Sequence, residues 1–98
     1  MNYSDIKFAA SIKDSPYMLY LEWDQSGMGI EYVSYNYVIP ENDFSNFSIF
    51  SDKKYLEKDL ALAAQNGLDL NIVEILEVEI NYTIKKNKTS IDEKQEIS

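Results

Sequence analysis

The sequence predicts an α+β fold: a three- or four-stranded, mostly antiparallel sheet with one main helix, about residues 52–66, packed on one face. Three observations predict it. Leu76 to Lys85 alternates strictly, with Leu76, Val78, Ile80, Tyr82 and Ile84 on one side and Glu77, Glu79, Asn81, Thr83 and Lys85 on the other, the period of a half-buried strand. Between Asp52 and Asn66, apolar residues recur at helical spacing. Two runs rich in aromatic and β-branched residues, Tyr17–Asp24 and Ile30–Ile39, flank Asp24–Gly29 and read as a hairpin. The chain has 98 residues, 45% of them hydrophobic, which suits one modest core.

Each element follows from its residues. Near the start, Phe8, Ala10 and Ile12 fit a strand, and Ile6, Ala9, Ala10 and Lys13 fit a short helix opened by Ser4. The strand is preferred, because Asp14-Ser15-Pro16 is a turn signal that leads directly into the next strand. In the hairpin, Tyr17, Leu19, Leu21 and Trp23 share one face of the first strand, with Met18, Tyr20 and Glu22 on the other. In the second strand, Val33, Tyr35, Tyr37 and Ile39 oppose Ile30, Tyr32, Ser34 and Asn36, and Pro40 stops the ladder. Glu41–Phe50 reads as a loop pinned over the core by Phe44, Phe47 and Phe50.

The helix stripe is Leu56, Leu60, Ala63 and Ala64, widened by Tyr55 and Leu62. Ser51 or Asp52 is placed to cap its first amides, and Gly67 supplies the left-handed residue that ends it. Packing the helix on the last strand predicts that Leu60 and Ile80 meet. Val73 and Ile75 sit on the opposite parity from Leu76, which calls for a bulge or a separate turn before the strand. Residues 1–86 form the expected domain. Residues 87–98 are polar and too few to hold a helix alone, so a disordered tail is expected there.

Missing residues exclude whole classes of chemistry. Histidine, cysteine and arginine are absent. Without histidine and cysteine there is no Ser-His-Asp or Cys-His catalysis, no histidine or thiolate metal site and no disulfide framework. Without arginine there is no bidentate phosphate clamp. The net charge of -8 leaves no basic surface for counterion release from nucleic acid, and an anionic membrane would repel the chain. Gly27-Met28-Gly29 lacks the third glycine and the following helix of a dinucleotide fingerprint, and no calcium-loop pattern occurs. Two carboxylates across a cleft would be the remaining catalytic device, and Glu77 with Glu79 reads better as a solvated strand face. No catalytic, cofactor or metal residue is therefore assigned. Met1–Asp5 has no basic segment followed by an apolar one, and no apolar run reaches membrane-spanning length, so the cytoplasm is the expected compartment.

What remains is a protein surface. Eight tyrosines and an excess of carboxylates combine large contact area with attraction for a basic partner. One helix covers one sheet face, so the other is expected to carry the candidate binding residues Tyr20, Glu22, Tyr35, Tyr37, Glu77 and Glu79 as one surface. The expected function is that of an acidic, non-enzymatic inhibitor, an immunity protein or antitoxin that neutralises a basic nuclease toxin. In size, acidity and single-domain character the chain is similar to bacterial immunity proteins, a likeness of composition that no motif carries. The alternatives are a phage-encoded anti-defence inhibitor of the anti-CRISPR or anti-restriction type and, behind it, a small carboxylate-dependent enzyme.

Overall fold

The computed structural model describes residues 2–83. Four strands form one antiparallel sheet in the order β3-β2-β1-β4: β1 (Asn2–Ile12), β2 (Met18–Gln25), β3 (Glu31–Val38) and β4 (Val73–Thr83). One helix, α1 (Lys53–Gln65), lies on one face, and a short 3-10 turn, Leu70–Ile72, leads from it into β4. The α+β reading is correct. The segment 87–98 lies outside the described residues, as do Ile84 and Lys85 at the end of the expected last strand.

The opening segment is a strand, and it is longer than its apolar residues alone predict. It pairs with β4 along its whole length, from Asn2↔Thr83 to Ile12↔Val73. Asp14 adopts a left-handed φ of 56° in the turn that follows. There Ser15 Oγ donates to the Ile12 carbonyl (2.9 Å) and accepts from the Tyr17 amide (3.2 Å). The hairpin pairs β2 with β3 from Met18↔Val38 to Gln25↔Glu31, and Gly29, at φ 83°, makes the positive-φ turn that an L side chain would strain.

Between its two halves the sheet parts. β1 and β2 share a single registered pair, Ser11↔Met18, and then diverge. The end of the Glu41–Phe50 loop fills the gap. Phe50 exchanges both backbone hydrogen bonds with Phe8 of β1, each 2.8 Å. On the β2 side, the Ser48 amide donates to the Leu19 carbonyl (3.2 Å), and Ser48 Oγ accepts from the Leu21 amide (2.7 Å) and donates to its carbonyl (3.2 Å). These contacts satisfy strand groups that the parted neighbours leave unpaired.

Cross-strand partners share a face, so the register defines two apolar layers. On the helix side, Leu56, Leu60 and Ala63 of α1 bury against Ala10, Leu19, Leu21 and Val33, with Val73 and Ile75 of β4 at the margin. On the opposite side, Phe47 and Ile49 cover Ala9, Met18, Leu76 and Val78. This overturns two expectations. Ile80 shares the loop side with Leu76 and Val78, so Leu60 and Ile80 do not meet. No bulge is needed before Leu76 either. The register through Val73–Thr83 is unbroken, and the strand begins with apolar residues on both parities because both of its faces are covered there. Of the three loop phenylalanines, Phe47 and Phe50 are anchored, while Phe44 is exposed and rests against Phe47.

The helix ends as expected and begins differently. The Gly67 amide donates to the Ala64 carbonyl and the Leu68 amide to the Ala63 carbonyl, with Gly67 at φ 110° and Leu68 buried beside Ala63. This is a Schellman ending with its apolar contact. At the start, Asp52 is the N-cap residue but its side chain makes no cap bond, and Ser51 Oγ instead accepts from Lys7 Nζ (3.0 Å). Tyr55 does not widen the buried stripe. It is exposed, with Lys54 Nζ 5.2 Å from its ring centre.

Two stability measurements check this arrangement. Leu60→Ala should cost about 2–5 kcal/mol in urea unfolding, as for other fully buried leucines, and Ile80→Ala less than half as much. Ser48→Ala should cost about 1–3 kcal/mol, because it strips the Leu21 amide of its partner. An effect of Ser48→Ala indistinguishable from that of an exposed serine would mean that the wedge does not hold the strands.

Candidate functional site

The register decides where the six candidate residues go. Tyr35 pairs with Leu21 and Tyr37 with Leu19, so both tyrosines lie on the helix side of β3. Glu77 and Glu79 pair with Phe8 and Ile6, the parity of Ala10 and Ile75, so they lie on the helix side of β4. β3 and β4 are opposite edges of the sheet, and β2 and β1 run between them. Tyr20 and Glu22 lie on the other face. The six residues therefore do not form one surface. Tyr35 is half-buried against the core, and Tyr37 stands exposed with its ring 5.9 Å from Tyr35 and 6.3 Å from Tyr17.

Tyr20 and Glu22 do belong to a surface, with different neighbours. Across the hairpin they meet Asn36 and Ser34, and the next pair outward is Asp24 with Tyr32. The loop that covers this side reaches only the Met18 and Val38 end, so Tyr20, Glu22, Asp24 and Tyr32 are all exposed. Toward the turn the hairpin also shows Ile30 (61% exposed) and Met28 (87%), while the exposed Trp23 pairs with Val33 and lies on the helix side. Asp24 and Tyr32 were legible: alternation groups Tyr20 and Glu22 with Met18, and Tyr32 with Ser34 and Asn36. Folding the two apolar parities together joins these two polar sets.

The electrostatics of this region are one-sided. From Asp14 to Asp52 the chain carries seven carboxylates (Asp14, Glu22, Asp24, Glu31, Glu41, Asp43 and Asp52) and no lysine. Among the described residues, one lysine pairs with these carboxylates, Lys58 of α1, whose Nζ lies 3.8 Å from Glu31. Beside it, burial pushes the Asp59 carboxyl above its usual range against the pull of Lys58. On the open face, Tyr32 donates its hydroxyl to Asp24 Oδ2 at 3.1 Å. That hydrogen bond and the Asp24 charge hold the Tyr32 phenol above its ordinary value of 10.0. Among the described residues, no group of three or more acidic side chains is placed to hold a metal ion, and no helix is long and apolar enough to cross a membrane.

The Tyr32 shift is measurable. Its folded value is raised, so the bond to Asp24 contributes fully below the ordinary phenol range and is lost as pH rises through the folded value. By NMR titration Tyr32 should ionise above 10.0, and Asp24→Asn should move it back toward 10.0. An unchanged midpoint in that variant would show that Asp24 does not set it. Comparison with protein families, with characterised proteins and with solved structures finds no match to this chain, so its functional reading rests on this surface.

Proposed function

We propose that this chain is an acidic, non-enzymatic inhibitor that binds a basic protein, of the kind that neutralises a nuclease toxin. The observation that carries the reading is the uncovered face of the β2–β3 hairpin. Tyr20, Glu22, Asp24 and Tyr32 are exposed together there, within a stretch that holds no basic residue. A nucleic-acid-processing site is basic, and an acidic face raises the rate at which a protein finds it. Tyrosine is a side chain that anchors such contacts once formed, because it buries large area at small rotamer cost. The hairpin turn is held by its own bonds, the Ser26 amide to the Ile30 carbonyl and the Gly29 amide to the Ser26 carbonyl, each 2.9 Å. A surface held in this way loses little freedom on binding. Relative to the six residues read from sequence, this proposal keeps Tyr20 and Glu22, adds Asp24 and Tyr32, and leaves Tyr35, Tyr37, Glu77 and Glu79 outside the contact.

The test begins with the full chain as bait against a lysate of its source, and the captured protein is expected to be basic and to lose nuclease activity when bound. Glu22→Lys with Asp24→Lys should slow association at least tenfold at low salt, and the difference should shrink as salt rises. Tyr20→Ala or Tyr32→Ala should mainly speed dissociation, an anchor costing about 2 kcal/mol or roughly thirtyfold in affinity. An acidic partner, a nucleic acid as the ligand, or unchanged kinetics in both sets of variants would overturn the proposal.

A further inference from the structure

We infer that the outer edge of β4 accepts an extended segment of a partner protein in which basic and apolar residues alternate, added to the sheet as a fifth strand. The inference goes beyond the hairpin reading and stands on the sheet edge alone. β4 is an edge strand of eleven residues, and among the described residues no hydrogen bond from outside its ladder with β1 reaches Ile75–Thr83. Such an edge presents a row of unpaired amides and carbonyls, a template for strand addition.

The other edge of the sheet is guarded. On β3, Asn66 Nδ2 donates to the Val33 carbonyl at 3.3 Å, and Glu31 is engaged by Lys58. Among the described residues β4 has no comparable cover, and its side chains specify an occupant. Glu77 and Glu79 are exposed on the helix side, while Leu76, Val78 and Ile80 are half-buried on the other. Residues directly across a strand pair share a face, so an added strand would set basic side chains beside Glu77 and Glu79 and apolar ones beside Leu76, Val78 and Ile80. A mostly apolar recess lies along this edge, lined by Met18, Pro40, Phe44 and Phe47 with the Leu76–Glu79 stretch of β4. Charge argues against a second copy as the occupant. Antiparallel pairing of two β4 strands about Val78 would place Glu77 against the copy's Glu79, and like charges directly opposed are destabilising.

The probe is a capped heptapeptide, Lys-Val-Lys-Val-Lys-Val-Lys, added to the isotope-labelled full chain. It should shift the amides of Glu74–Ile80 and slow exchange of those that point away from β1. Binding should weaken at least tenfold at low salt in Glu77→Gln with Glu79→Gln, two exposed positions whose replacement leaves the core untouched. It should weaken at least as much for a peptide of the same composition in block order, and for one N-methylated at alternate residues. It should persist in the Glu22→Lys, Asp24→Lys chain, which separates this inference from the hairpin reading. Equal binding of the block-order peptide would reduce the effect to bulk charge and overturn the proposal. Shifts confined to β2 and β3 would overturn it too. So would protection of the outward β4 amides before any peptide is added: concentration-dependent protection would mean a second copy holds the edge, and concentration-independent protection would mean another part of this chain does.

Discussion

The fold depends on how the gap between β1 and β2 is closed. These two central strands share one registered pair, Ser11↔Met18, and the sheet would otherwise be two hairpin-like ribbons joined at a turn. Ser48 and Phe50 span the opening with backbone and hydroxyl hydrogen bonds to both sides. A sheet cannot leave inner-edge amides dry and unpaired, so the parting of the strands and the insertion of this segment are one feature. Small residues on β1 make room for it. Ala9 and Ala10 are both fully buried, one under the loop and one under the helix, where larger side chains would push the covering layers away.

That closure sets which surfaces are covered. The chain from Pro40 to Phe50 must run along the loop side to reach the gap, and in doing so Phe47 and Ile49 bury Met18, Leu76 and Val78. The helix then crosses to the other side and covers Leu19, Leu21 and Val33. Neither layer reaches the outer part of the hairpin on the loop side, nor the outer edge of β4. The two exposed features that invite partners are thus what two short covering layers leave open on a four-stranded sheet. The hairpin face combines acids with aromatic rings, and the β4 edge combines alternating glutamate and aliphatic side chains with outward backbone that no other described residue pairs.

Much of the architecture was legible in particular residues. Alternation in Leu76–Thr83 marked a strand, the Leu56, Leu60, Ala63 spacing marked the helix, and Gly67 marked its end, because each pattern has a local physical cause. The candidate surface was less legible. Grouping Tyr35 and Tyr37 with Tyr20 required knowing which parity of each hairpin strand faces the helix, and the aromatic character of both parities concealed it. The deeply buried Leu19, Leu21 and Val33 set that choice, and they carry Tyr35 and Tyr37 to the helix side.

By itself, then, the sequence determined the kind of the hairpin, the helix and the last strand, the turn residues that separate them and the strongly acidic balance of charge. These depend on backbone preference, on side-chain period and on composition, all of which act over a few residues or none. Tertiary structure decided what covers each face, which strands become edges and which exposed side chains become neighbours. Period two states that Leu76, Val78 and Ile80 point the same way, but not that a loop meets them instead of the helix. Only the pairing of β1 with β4, across some seventy residues of chain, carries Glu77 and Glu79 to the edge opposite Tyr35 and Tyr37. Long-range pairing is won by the burial and hydrogen bonding of the whole sheet, and no local stretch of residues contains that sum.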